Sequence, residues 1–126
     1  MLLDLLKEYR IILGSASPRR KELLNGLGLK FNVEVNSDVP EDFDENEDPF
    51  KVPVILSQRK ANHFHRELGQ YEILITADTL VICKGKILGK PLNRKEAYNM
   101  LKELSGRSHY VVTGVTLRDS ERCTSF

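Results

Sequence analysis

The chain has 126 residues, 40% of them hydrophobic, 29% charged and 7% aromatic, with no tryptophan; this suits one globular domain around a single modest core. Its 19 basic and 18 acidic side chains leave a net charge of +1, so no global field draws it to nucleic acid or to a membrane. Cys83 and Cys123 lack metal-type spacing, and with no disulfide framework or targeting segment a cytoplasmic protein is expected.

Met1–Lys7 is apolar but too short and too charged for a signal peptide or a membrane span, and a short amphipathic helical turn is expected. Arg10–Leu13 is an apolar run that predicts an interior strand. Gly14-Ser15-Ala16-Ser17-Pro18-Arg19-Arg20 then opens a helix over Ser17–Leu27, with Leu23, Leu24 and Leu27 at helical spacing and Gly26 and Gly28 stopping it. Ser17 suits the N-cap and Pro18 the first helical position. Phe31–Val35 alternates, which predicts a second strand with one buried face. The acidic stretch from Asp38 to Asp48 has no period and reads as a loop.

Pro53 opens a second helix carrying Ala61, Phe64 and Leu68, closed by Gly69. Ile73–Val81, continuing through Cys83, is the clearest strand, and Lys84-Gly85-Lys86 predicts a hairpin into Ile87-Leu88. Asn93 and Glu96 resemble a capping box for a helix bearing Ala97, Met100, Leu101 and Leu104. His109–Leu117 alternates and predicts a last long strand, after which the signals fade. Strands alternating with helices, plus a hairpin, predict an α/β fold with a mixed sheet.

Strand, small-residue turn, helix: this order presents free N–H groups and the positive end of a helix dipole to an anion. Arg19 and Arg20 add planar, permanently charged forks that match phosphate oxygens. An ordinary capped helix with solvated arginines would use the same residues. Asp78 interrupts the most hydrophobic strand, where an ionised carboxylate is costly unless it is paired or bound to metal. It is therefore a candidate metal ligand or general base, against the alternative of a strand-end turn cap. Lys60, at the edge of the second helix's apolar stripe, can snorkel toward a cleft, and Pro91 would stiffen the backbone that presents Lys90. Solvated lysines remain the alternative for both. Glu41 and Asp42 follow the second strand, and one of them could hold a divalent cation together with Asp78, unless the acidic loop is simply solvated. His63 and His65, two apart on a helix, would diverge and could not share a metal. P-loop and dinucleotide-binding motifs are absent from the sequence.

The series Ser15-Ala16-Ser17-Pro18-Arg19-Arg20, Glu22-Leu23-Leu24, Arg59-Lys60-Ala61, Ala77-Asp78-Thr79, Gly89-Lys90-Pro91 and Leu104-Ser105-Gly106-Arg107-Ser108-His109 closely resembles the Maf family over essentially the whole chain. The resemblance implies a nucleoside triphosphate pyrophosphatase that cuts between the α and β phosphates. It also implies a two-lobed α/β fold related to the inosine triphosphate pyrophosphatases and a divalent cation, Mg²⁺ or Mn²⁺. It makes Asp78 the proton acceptor and places substrate phosphate against the turn from Ser15 through Ser17, Arg19 and Arg20. Lys60 and Lys90 would line the cleft, and Glu41 would help Asp78 hold the metal.

Arg19 after the proline and Thr79 after the aspartate side with the dTTP/UTP branch. The expected partner is the nucleoside triphosphate, with a homodimer allowed and neither nucleic acid nor membrane. The alternatives are a nucleotide-sensing or cell-division-regulating binding protein, and a house-cleaning enzyme for inosine or xanthosine triphosphate. Members of the family continue for roughly another third of a typical domain, ending in a segment like Asp-Lys-Ala-Gly-x-Tyr-Gly-Ile-Gln. Nothing here matches it, so 1–126 is expected to be a single Maf-like domain lacking its C-terminal portion.

Overall fold

The computed structural model describes residues 6–35, 39–89 and 92–126. A mixed sheet of six strands is its frame. After a 3₁₀ turn at Leu6–Glu8 come β1 (Arg10–Leu13), α1 (Pro18–Gly26), β2 (Phe31–Val33), α2 (Val52–Asn62), β3 (Glu72–Cys83), β4 (Lys86–Leu88), α3 (Arg94–Leu104), β5 (His109–Arg118) and β6 (Cys123–Ser125). The helical turn expected over Met1–Lys7 lies mostly outside the described residues. The strands run in the order β2-β1-β3-β5-β6, with β4 also on β3. β1 is parallel to β2 and β3, whereas β4, β5 and β6 join antiparallel.

β3 is long enough to change partner along one edge. Its first part, Glu72 to Ile75, pairs with β1, and its last part, Val81 to Cys83, pairs with β4. Among the described residues, the stretch Thr76–Leu80 pairs with β5 alone. The gap on the other edge is a crevice at the carboxyl end of β1, the position where open α/β sheets take ligands. The turn into β4 is as the sequence predicts: Lys84 and Gly85 both adopt positive φ, 53° and 74°, as a two-residue hairpin needs.

α2 packs on one face of the sheet. Ile12, Leu74 and Ala61 are buried there with Leu68, and Phe64 packs against them. Two buried threonines fix the helix laterally. Thr76 Oγ1 donates to Ser57 O at 2.7 Å, and the Thr116 and Ser57 hydroxyls lie 2.7 Å apart. Arg118 Nη1 donates to Ala61 O at 2.7 Å, satisfying a carbonyl at the helix end.

The helix can sit this close because β5 carries Gly114 beneath it. A Cβ there would lie 2.3 Å from Pro53 C and Val54 N, closer than any real contact, and both neighbours are backbone.

Several elements differ from their sequence reading. The second helix ends at Asn62, not at Gly69; Phe64 and Leu68 reach the core from the loop that turns back into β3. Arg66 anchors that loop, donating to Glu34 Oε2 at 2.8 Å and to Glu72 Oε1 at 2.7 Å. His63 and His65 accordingly lie past the helix, with His65 Nε2 2.9 Å from Glu34 Oε1. β2 stops at Val33 on the sheet edge, leaving Val33 39% and Val35 49% exposed instead of burying one face. In α1, Leu23 and Leu27 keep more than 60% of their surface exposed, so its leucine spacing marks a helix without a buried face. β6 forms where the sequence carries no strand signal, its Cys-Thr-Ser sequence having no apolar alternation. Among the described residues no helix is long and apolar enough to cross a membrane.

The Arg66 cluster makes stability depend on acid. Hydrogen bonds from Arg66, then the Gly69 N–H, lower the Glu72 carboxyl from 4.5 to about 2. Arg66 likewise lowers Glu34. A depressed carboxyl stabilises the fold fully above its unfolded value, and that contribution disappears as pH falls through the folded one. Stability should therefore decline between pH 4.5 and about 2, and Glu72→Gln should flatten that slope in denaturant titrations across the range. Gly114→Ala should cost about 3 kcal/mol, the upper end of overpacking penalties, read as a fall in the thermal unfolding midpoint.

Candidate active site

Ser17 caps α1 as its sequence predicts, its Oγ accepting from Arg20 N at 3.4 Å. Ser15 Oγ accepts from Ser17 N at 3.2 Å. The same oxygen accepts from Arg20 Nη1 at 3.0 Å, while Nη2 of that guanidinium donates to Thr79 Oγ1 at 3.2 Å. Arg20 thus spans the crevice from the β1–α1 turn to the exposed middle of β3. Consecutive helix positions are about 100° apart, so only one of the two arginines can face β3. Arg20 does, whereas Arg19 is exposed to solvent.

Asp78 is buried, 9% exposed, in the stretch of β3 that lacks a second neighbour. Lys60, reaching down from α2, donates to Asp78 Oδ1 at 2.9 Å and to Ala77 O at 3.1 Å. Burial of a carboxylate is tolerated here because an ammonium accompanies it. The second carboxylate oxygen, Asp78 Oδ2, is buried and has no hydrogen-bond partner among the described residues. An unpaired buried acceptor is costly, and such orphans concentrate where a ligand is meant to bind.

Glu41 is brought to the crevice by a residue whose role the sequence reading left open. Arg59 Nη1 donates to Pro40 O at 2.9 Å and to Asp42 O at 2.6 Å, clasping the backbone on both sides of Glu41. A 3.4 Å contact to Asp42 Oδ1 adds little, since that carboxylate is 86% exposed. Asp42 itself is thus tied to Arg59, and Glu41 is the acid that faces the cavity.

The cavity, about 760 Å³, has two chemically distinct ends. Ser17, Arg20, Glu41, Lys60, Asp78 and Thr79 line the polar end; Val81, Ile87, Leu88, Met100, Leu101 and Leu104 line the apolar end. α3 supplies that last wall. Its amphipathic stripe is the one expected from the sequence, and Asn93 Oδ1 accepts from Glu96 N at 2.9 Å as the capping pattern predicts, while Glu96 Oε2 accepts from Leu92 N at 2.6 Å in place of the N-cap amide. A smaller hollow of about 230 Å³ adjoins it, lined by Gly14, Ser15 and again Glu41 and Lys60. Lys90 lies outside the described residues.

Among the described residues no group of three or more His, Cys, Asp or Glu is placed to hold a metal. The two carboxylates of one cavity, Glu41 and Asp78 with its unpartnered Oδ2, still suit a hard cation. Mg²⁺-type ions take one or two protein carboxylates and complete their shell with water and substrate phosphate.

The Maf-like protein family matches residues 10–125. A dTTP/UTP pyrophosphatase of Porphyromonas gingivalis is 52% identical over 119 residues, which are 92% of this chain and 59% of that protein. Those of Bacteroides fragilis and Thermoanaerobacter sp. are 44% and 46% identical, over 94% and 86% of this chain and 62% and 56% of theirs. The chain thus spans about three fifths of the length of these curated relatives. A solved dITP/XTP pyrophosphatase of Mycobacterium abscessus superposes with a TM-score of 0.49 at 16% identity, covering 93% of this chain and 70% of that one. The order of the motifs, the crevice they build and the match of the family model to residues 10–125 agree: the chain belongs to the Maf-like protein family.

Proposed function

We propose that the protein hydrolyses nucleoside triphosphates, dTTP and UTP foremost, to the nucleoside monophosphate and diphosphate. The observation that carries this reading is Asp78: a carboxylate within a buried strand, one oxygen held by Lys60 and the other without a partner, on the wall of a cavity rimmed by cations. The relatives' names, dTTP/UTP pyrophosphatase, support the choice of substrate. A cytoplasmic setting, where free nucleotides are abundant, fits the same reading.

In this mechanism the triphosphate lies along the polar end of the cavity and the nucleoside against the apolar end. The β1–α1 turn presents backbone N–H groups and the positive end of α1 to phosphate oxygens. Arg20 and Lys60 offset the negative charge of the bound triphosphate, and Thr79 and Ser15 supply hydroxyls beside Arg20. Glu41 and Asp78 would hold a Mg²⁺ or Mn²⁺, which supplies charge neutralisation at the phosphates. Asp78 orients the attacking water and accepts its proton as the water oxygen bonds to the α-phosphorus. The α–β bridging oxygen leaves with the diphosphate, so the water provides both the new P–O bond and the proton. Lys60 holds Asp78 Oδ1 at 2.9 Å for that role, which leaves the unpartnered Oδ2 to the water.

The chain incubated with dTTP and Mg²⁺ or Mn²⁺ should release dTMP and diphosphate. Release of orthophosphate, or binding without release, would overturn the reading; the latter would favour a sensing role. Asp78→Asn should lower turnover by at least about a hundredfold, the usual value of a general base. Its nucleotide affinity, measured without added metal, should stay within about threefold, since the amide keeps the side chain's shape while giving up its charge, its proton affinity and its hold on the cation. Lys60→Met should reduce both turnover and stability, the latter by about 2 kcal/mol, because it leaves the partly buried Asp78 carboxylate without its countercharge.

A further inference from the structure

We propose that Thr113, a β5 residue away from the cavity wall, is a positioning residue that aims the Thr79 hydroxyl at a phosphate oxygen of the bound nucleotide. The inference rests on reading the cavity as a nucleoside triphosphate site. Thr79 and Thr113 are directly opposite in the antiparallel β3–β5 ladder, and their hydroxyl oxygens lie 2.9 Å apart. Thr79 belongs to the cavity lining and Thr113 does not.

Donor and acceptor counting gives the pair its function. A guanidinium only donates, so the 3.2 Å contact from Arg20 Nη2 occupies one of the two lone pairs of Thr79 Oγ1. Thr79 then has one lone pair and one proton left. Without ligand, either hydroxyl can donate across the 2.9 Å contact between them. When an anionic oxygen arrives beside Arg20, the proton of Thr113 can turn to the remaining lone pair of Thr79, which frees the Thr79 proton for the phosphate. In that arrangement Thr79 accepts from two donors and gives to one acceptor, and each bond polarises the next. Thr113 also acts as a stop. Its oxygen holds the Thr79 hydroxyl on the Arg20 side of the strand, and through it the guanidinium that also binds Ser15 Oγ at 3.0 Å.

The test compares dTTP affinity, by calorimetry, in the unaltered chain, Thr113→Val and Thr113→Ser. Valine keeps the branched shape and the strand propensity but has no hydroxyl; serine restores the hydroxyl. Thr113→Val should weaken dTTP roughly three- to tenfold, the value of one hydrogen bond, and Thr113→Ser should recover the affinity. The unfolding midpoint should not move, because both threonines are exposed. Since Thr113 acts only through Thr79, adding Thr113→Val to Thr79→Val should cost nothing further. Unchanged affinity in Thr113→Val, or additive losses in the double variant, would overturn the inference while leaving the nucleotide site intact. Failure of the unaltered chain to bind dTTP would overturn the nucleotide reading itself, and this inference with it.

Discussion

One constraint organises the molecule: β3 is longer than any neighbour on its β1 side. β1 covers its beginning and β4 its end, so Thr76–Leu80 has β5 on one edge and a crevice on the other. A strand interior normally excludes charge, yet here the middle of the most apolar strand meets open space. Asp78 can therefore be enclosed enough to feel a low dielectric and still border a cavity. Its Oδ1 is held by Lys60, and the reach of Lys60 depends on how deeply α2 sits on the sheet. That depth is set by Gly114, the residue paired with Asp78 across the ladder. One missing Cβ on β5 thus fixes the distance between a lysine and a carboxylate on two other elements.

The positive charges of the crevice are held by devices of different strength. Lys60 is anchored by two acceptors on β3, one of them a buried carboxylate. Among the described residues Arg20 is anchored by hydroxyls, those of Ser15 and Thr79. Neutral partners leave the full charge of Arg20 available to an incoming anion, whereas Lys60 already shares its charge with Asp78. The two cations therefore suit different tasks. Arg20 suits the attraction of an anion, whereas Lys60 suits fixing the position of the acid. Arg59 serves neither task; its bonds to the carbonyls of Pro40 and Asp42 hold a loop, and that loop carries Glu41.

Local signals in the sequence located most of the parts. The Ser17 cap, the Pro18 start, the Lys84-Gly85 hairpin and the Asn93–Glu96 cap each depend on residues within four positions of one another, and each appears as read. Asp78 was visible because a lone acid in an apolar run breaks the pattern of its own strand. What the sequence did not reveal is non-local. The gap in the β3 edge follows from the registers of β1 and β4, which no spacing within β3 records. The early end of α2 follows from Arg66 bonding Glu34 and Glu72, residues 32 and 6 positions away. Arg19 and Arg20 are equivalent in composition, and only the azimuth of α1 against β3 distinguishes them. Thr113 shares the alternating positions of its strand with Val111, Val115 and Leu117, and only register sets it opposite Thr79.

The crevice also explains why its chemistry is divided along its length. At the β1 end the wall is backbone turn, hydroxyls and guanidinium; at the β4 end it is Ile87, Leu88 and the apolar stripe of α3. α3 has no buried residue of its own, and Leu101 is 69% exposed. Its leucines and methionine face a hollow that they do not fill, so the helix adds apolar surface without closing the space. A ligand with a charged end and a flat, less polar end can satisfy both halves at once, with the polar half fixing direction and the apolar half gaining from water release. The polar half is rigid because buried hydrogen bonds tie α2 to β3 and β5. The apolar half is held by one capped helix with little packing. Orientation of a ligand's charged end is therefore built into the sheet, and accommodation of different apolar ends falls to the more loosely held wall.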